Sequence, residues 1–241
     1  MPSIVLSSYN GFYLTLFGAV MELTYAQLVD ALAHSNNVSG NDGGAFRSRL
    51  RKLQSEGIPG GANPGKGRRV AYTVPLIIEA AIAVELLQIG WSPHQAAFIV
   101  GSYRQDILAA TLLSLLPNQP SNHDVLIAVS PEALGTRPVA DRVGAISFVT
   151  REKVGELFRD GPSANNLAGS PWRWSLIDLA PATLITIRSV ALIGFPSEVF
   201  VQALREAIEE YDAAIRTFRE TKLNKILIEK EVVGTRDCGL S

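Results

Sequence analysis

Between Gly57 and Thr73 the chain interrupts a series of helical signals with GIPGGANPGKGRRVAYT. Five glycines and two prolines fall in the first eleven residues of that stretch, a composition that excludes a regular helix and predicts a tight, turning connection. RRVAYT then has the β-branched and aromatic character of a strand, with Val70 and Tyr72 on one face. A helix, a strand, a glycine-rich tip and a returning strand, in that order, predict a winged helix-turn-helix.

The flanking segments supply the helices. Thr24 with Gln27 three residues on forms a capping-box pattern, and Leu28, Val29 and Leu32 supply one apolar face. SNNVSGNDGG, 35–44, is a polar connection, and a second helix is expected over 45–56, closed by Gly57. Beyond the hairpin, Thr73 and Pro75 open an apolar helix, 76–89. After Gly90-Trp91, Ser92-Pro93-His94-Gln95 is a second capping box with proline in the first turn, and its helix is predicted to run through Phe98 and Tyr103 to Leu116, where Pro117 stops it.

Charge sharpens the picture. The whole chain carries −1, yet Gly43 to Pro75 holds seven cations (Arg47, Arg49, Arg51, Lys52, Lys66, Arg68, Arg69) against Glu56 alone, a local +6 that leaves −7 for the remainder. A short basic segment on an acidic protein suits a polyanionic partner. On the helix over 45–56, Phe46, Leu50 and Leu53 define the buried stripe. At about 100° per residue, Arg47, Ser48, Arg51, Lys52 and Ser55 project opposite it, with Arg49 on the flank. Guanidinium groups fork onto guanine edges or phosphates, so this face has the chemistry of a major-groove reader.

Gly60, Gly65 and Lys66 match the first seven positions of a G-x-x-x-x-G-K-[ST] phosphate loop. Residue 67 is glycine, which removes the hydroxyl that holds magnesium, and the strand-like RRVAYT that follows presents no helix N-terminus to a phosphate. No nucleophile–base motif surrounds His34, His94 or His123, and no zinc-ligand spacing includes the lone Cys238. No enzyme class, metal or cofactor is indicated. The single cysteine excludes an intrachain disulfide and fits a reducing cytoplasm.

LTYAQLVDAL, FRSRLRKLQSEGIP and GRRVAYTVPLIIEAAIAVELLQIGWSPHQAAFIV together resemble the DNA-binding domain of MerR-type regulators, over roughly residues 22–103. The resemblance lies in a helix-turn-helix, a wing ending in a G-x-R-x-Y-like strand, and a helix pair joined at a G-[aromatic]-[ST] turn. Two departures mark it. The turn between the first two helices is longer than the family's, and Arg47-Ser48-Arg49-Leu50-Arg51 stands where the family carries an arginine-tyrosine-tyrosine run. The resemblance implies double-stranded DNA as partner, a homodimer formed through a later helix, and DNA distortion as a means of regulation.

In the second half, residues 123–130, 144–150, 172–179 and 182–194 have strand character, with a helix over 151–158. Trp172 and Trp174 alternate, as pocket-lining or core residues do. A last long helix, 197–223, repeats Val201, Leu204, Ile208, Tyr211, Ile215 and Phe218 at heptad spacing, a seam for dimerisation or for packing on the chain's own sheet.

The expected architecture is therefore α+β. A leader over 1–21 (with Met21 an alternative start) precedes a winged-helix domain over 22–117. A small α/β domain follows over 118–195, then the heptad-patterned helix over 196–226 and a tail over 227–241. The apolar N-terminal run falls short of the ~20 residues of a membrane span. The expected function is a sequence-specific, dimeric DNA-binding protein of the cytoplasm and nucleoid, a transcriptional regulator. Arg47, Ser48, Arg49, Arg51 and Lys52 would face the major groove, and Lys66, Arg68 and Arg69 the backbone or minor groove. A plasmid, phage or chromosome-maintenance role, or a protein-interaction module with an acidic partner, are the alternatives.

Overall fold

The computed structural model describes residues 21–38, 42–61, 70–115, 125–130, 146–158, 174–208 and 211–227. Among them the protein is mixed helix and sheet, mostly helical with two small sheets, compatible with an α+β fold.

Strand β1 (Glu22–Leu23) leads into α1 (Tyr25–Ser35) through the expected capping box: Gln27 N–H donates to Thr24 Oγ1 at 3.3 Å and Thr24 N–H to Gln27 Oε1 at 2.9 Å. Helix α2 (Gly43–Ser55) starts two residues earlier than the sequence predicts. It ends in a Schellman turn in which Gly57 takes φ +90° and Ile58 N–H reaches Leu53 O at 3.0 Å. A side chain at Gly57 would be strained at that φ, which explains the glycine. Strand β2 (Tyr72–Thr73) pairs antiparallel with β1, Leu23 opposite Tyr72, and passes directly into α3 (Val74–Gln88). Helix α4 (Pro93–Ser102) carries the second capping box, from Ser92 to Gln95. It does not run on to Leu116: Tyr103, at φ −113° and ψ 23°, interrupts it, and α5 (Arg104–Leu115) begins anew.

Helix α3 is the hub. It is buried on nearly every face, as its lack of amphipathic pattern requires, and α2, α4, α5 and two later helices pack around it.

The larger sheet has the order β5-β3-β4-β6 and is antiparallel throughout: β3 (Val125–Val129), β4 (Ile146–Thr150), β5 (Ser175–Asp178) and β6 (Lys225–Leu227). Its two central strands are buried on both faces. Val125, Ile127, Val129, Ile146 and Phe148 join the helical core. Leu126, Ala128 and Val149 form a second cluster with Leu157 of a 3₁₀ helix (Arg151–Phe158), over the residues where a helix was expected. Trp174 packs against that cluster and donates its Nε1–H to Leu157 O at 3.3 Å. Trp172 lies outside the described residues.

Residues 182–194, expected as a strand, belong instead to α6 (Leu179–Leu192). Asp178 caps it, its Oδ1 accepting from Ala180 N–H at 3.3 Å, and Pro181 sits in its first turn. Leu179, Thr183, Thr186, Ile187 and Val190 are buried at helical spacing, and Thr186 and Ser189 return their hydroxyls to the carbonyls of Ala182 and Ile185. β-Branched content favours a strand only where a pleated neighbour is on offer; here α1, α3 and α5 offer a helix its seat.

The long C-terminal helix is also corrected. It is broken into α7 (Ser197–Ala207) and α8 (Tyr211–Thr221), with Ile208 extended at φ −96° and ψ 97°. A break removes the continuous seam that heptad spacing requires. Leu204, Ile208, Ile215 and Phe218 are buried in the chain's own core, and Val201 is half-buried against it; the side chain of Tyr211 lies outside the described set. Phe218 meets Phe148 edge-on, centroids 5.1 Å apart. The turn after α8 is tied to the sheet by Asn224, whose N–H donates to Phe148 O and whose Oδ1 accepts from Thr150 N–H at 3.1 Å. One apolar core runs from Met21 to Phe218, so the boundary expected at 117 does not separate two cores.

Phe218→Ala is expected to cost about 3–5 kcal/mol of stability with no change in sedimentation. A change in association state at unaltered stability would return the seam to an interface. Burial holds Glu79, Glu85 and Asp106 above the ordinary carboxylate range, Asp106 in spite of Lys222 at 3.6 Å. Acids raised by folding stabilise it when protonated, an effect complete below their unfolded pKa and lost as pH rises through the folded one. The thermal midpoint is therefore expected to rise as pH falls from about 8 towards about 5, as melts across that range would record.

Candidate nucleic-acid interface

Helix α2 buries Phe46, Leu50 and Leu53 against α1, α3 and α4, and this one-sided anchoring decides what its other side shows. Arg47, Ser48, Arg49, Arg51, Lys52 and Ser55 are all exposed. Among the described residues, Arg47, Arg49 and Arg51 form no ion pair, so three guanidinium groups stand in solvent on a helix that contains no acid. The hydroxyls are turned inward. Ser48 Oγ donates to Gly44 O at 3.0 Å and Ser55 Oγ to Lys52 O at 2.7 Å, which leaves their lone pairs for any outside donor.

Lys52 differs from its neighbours. Its Nζ lies 2.9 Å from Glu56 Oε1, one turn on, and Glu56 Oε2 lies 3.1 Å from His94 Nδ1 at the start of α4. Hydrogen bonds from Lys52 and then His94 hold the Glu56 carboxyl below its ordinary value. The only acid in the basic stretch is thus committed to the end of α2, and Lys52 is partly neutralised where the three arginines are not. Sequence spacing contains the Lys52–Glu56 pair, which is i to i+4; the His94 contact spans 38 residues and required the fold.

The first glycine of the near-match to a phosphate loop has a definite job. Gly60 N–H donates to Oε2 of Glu79 at 2.8 Å, and Arg104 Nε sits 2.6 Å from Oε1 of the same carboxylate. A phosphate loop offers its backbone N–H groups to an anion; this one is already taken by the protein's own carboxylate. The side chain of Glu79 is 2 % exposed. Burial raises its pKa against the opposing pull of Gly60 and Arg104. Sequence reasoning missed Glu79, whose only signal was an acid, one of two with Glu85, inside an otherwise apolar helix pattern. Lys66, Arg68 and Arg69 lie outside the described residues, while Val70 and Tyr72, on the return, face the core together as expected.

Beneath α2 a cavity is lined by Tyr25, Leu28, Leu50, Leu53, Gln54, Ile58, Pro59 and Ala80, with about 10 Å³ of room. That is one water's worth, too little for an effector. Gln54 Nε2 spans its edge to Tyr72 Oη at 2.6 Å, fastening α2 to β2. Among the described residues no helix is long and apolar enough to cross a membrane, and no three His, Cys, Asp or Glu side chains gather as metal ligands do.

No family model, curated protein or solved structure matches this chain.

Lys52→Ala is expected to raise the titration midpoint of Glu56 towards the ordinary 4.5, followed by NMR of the side-chain carboxyl. An unchanged midpoint would mean that the pair does not persist in solution. Because a lowered acid stabilises the fold above its unfolded pKa and loses that contribution as pH falls through the folded one, the same variant is expected to reduce the acid sensitivity of the end of α2.

Proposed function

We propose that this protein binds double-stranded DNA sequence-specifically as a transcriptional regulator, with α2 entering the major groove. The observation that carries the reading is the exposed face of α2: Arg47, Arg49 and Arg51 without ion-pair partners among the described residues, on a helix whose buried stripe is Phe46, Leu50 and Leu53. A groove-reading helix needs its far side fixed to a scaffold and its near side cationic and free. The order β1, α1, α2, a glycine-rich departure at Gly60, and β2 returning to pair with β1 supports a winged helix-turn-helix and the resemblance to MerR-type domains.

In this reading Arg47 and Arg51, one turn apart, face base edges, with Ser48 accepting beside them. Arg49, on the flank, meets a phosphate. Lys52 contributes less than its charge suggests, because Glu56 holds it. Lys66, Arg68 and Arg69 reach the adjacent backbone or minor groove. Dimeric binding follows from the resemblance and from no described surface, since the heptad seam is spent in the core.

Selection from a random duplex pool is the primary test, and an enriched inverted repeat is the expected outcome. Arg51→Ala is expected to reduce discrimination by about 1–3 kcal/mol at the bases it reads. Arg68→Ala should instead weaken all duplexes alike and lessen the salt slope by about 0.9. Absence of enrichment together with absence of duplex binding at low salt would sink the reading.

A further inference from the structure

At the C-terminal end of α2 three charge-bearing side chains from two helices stand in a row that the arginine face does not use. Lys52 Nζ lies 2.9 Å from Glu56 Oε1, and His94 Nδ1 lies 3.1 Å from Glu56 Oε2. Glu56 caps α2 and His94 is in the first turn of α4, so the row joins the two helices. The central carboxylate is 22 % exposed, whereas the lysine is 60 % and the imidazole 79 % exposed. Both outer groups are thus open to a further partner.

Of these three side-chain types, only an imidazole changes charge between about pH 5 and 8. Hydrogen bonds from Lys52 and then His94 hold the Glu56 carboxyl below its ordinary 4.5, so it stays ionised across that window. With a neutral imidazole the row sums to zero, Lys52 against Glu56; with a protonated one it sums to +1. The carboxylate is then shared between two cations, which weakens its hold on either. The other charged groups on the elements packed against α4, which are α2, α3 and α5, do not reproduce this. On α3, Glu79 faces Arg104 of α5 at 2.6 Å and Glu85 is raised by burial. On α5, Asp106 faces Lys222 at 3.6 Å. Arg47, Arg49 and Arg51 of α2 carry guanidinium groups, which do not titrate.

We propose that His94 makes duplex binding proton-linked: a proton taken up on its imidazole converts the neutral Lys52–Glu56 pair into a cationic row and releases Lys52 to a DNA phosphate beside the arginines of α2. The inference deepens the DNA-binding reading and rests on it for its functional half, while the coupling of His94 to Glu56 is decided without DNA. Affinity rises as pH falls, because a polyanion favours the form that carries the extra charge. Lys52, muted by its acid when the imidazole is neutral, then counts as a full phosphate contact.

The test uses the full-length parent, His94→Gln and Lys52→Gln; both variants change exposed side chains and are expected to melt with the parent. NMR of the Glu56 side-chain carboxyl carbon comes first. In the parent its shift is expected to pass through an inflection between about pH 5 and 8, above the titration of the carboxyl itself, and His94→Gln to remove that inflection. Affinity for a labelled duplex pool of random sequence is then measured against salt at about pH 5.5 and about pH 8. The parent is expected to bind about fivefold tighter at the lower pH, with a salt slope steeper by about 0.9. His94→Gln is expected to lose both changes, and Lys52→Gln to lose the change in slope while it keeps the inflection. A parent without the inflection, or an inflection that survives in His94→Gln, overturns the proposal. An inflection with equal pH dependence of binding in parent and His94→Gln overturns its functional half. If no variant binds duplex at low salt, the DNA reading fails and proton-linked binding with it, while the carboxyl shift still decides whether the His94 proton reaches Glu56.

Discussion

The buried carboxylate of Glu79 is the constraint around which the N-terminal half is organised. A carboxyl group inside an apolar helix is tolerated only where the structure brings it a donor or a counter-charge. Here those come from two different places in the chain, Gly60 and Arg104. These two contacts tie the end of the α2 turn, the hub helix and the beginning of α5 into one arrangement. Burial of the α2 seam and the Gln54–Tyr72 bond act in the same direction, fixing α2 from its apolar side and from its C-terminal end.

What the anchoring leaves over is the cationic face. Because Phe46, Leu50 and Leu53 form one narrow buried stripe, the arginines on the other sides of the helix are left to solvent. The acid that follows α2, Glu56, is taken by Lys52 and His94. The electrostatic character of that face is accordingly set by three guanidinium groups, which would suit phosphate and base edges, as proposed, better than an ammonium does. The C-terminal helices complete the core from the other side, and α6 connects the sheet with α1 and α3 so that the two halves share one interior.

Legibility in the sequence followed the range of the interactions. Both capping boxes, the glycine after α2, the apolar stripe of α2 and the central strands β3 and β4 are local patterns, and each is present close to its expected place. The misreadings came where a local pattern had two physical solutions. Residues 182–194 are β-branched enough for a strand, but Asp178 and Pro181 open a helix and three neighbouring helices receive it. The heptad spacing of 201–218 survives a break at Ile208 because two shorter helices bury the same residues in one core. Of the candidate site, the arginine face was legible and the Glu56–His94 and Glu79–Gly60 contacts were not, since they join residues 38 and 19 positions apart.

By itself the sequence determined where α1 and α4 start, the glycine that ends α2, which side of α2 is apolar, and that a +6 segment sits on a chain of net −1. Capping, periodicity and charge count act within a few residues of one another, so no knowledge of the fold is needed to read them. Only the tertiary structure decided which cations remain unpaired, that the heptad stripe faces inward, and that the first glycine of an apparent phosphate loop gives its N–H to a carboxylate of the same protein. Each of those depends on which distant group arrives within hydrogen-bond or van der Waals reach, and that is settled by packing around α3.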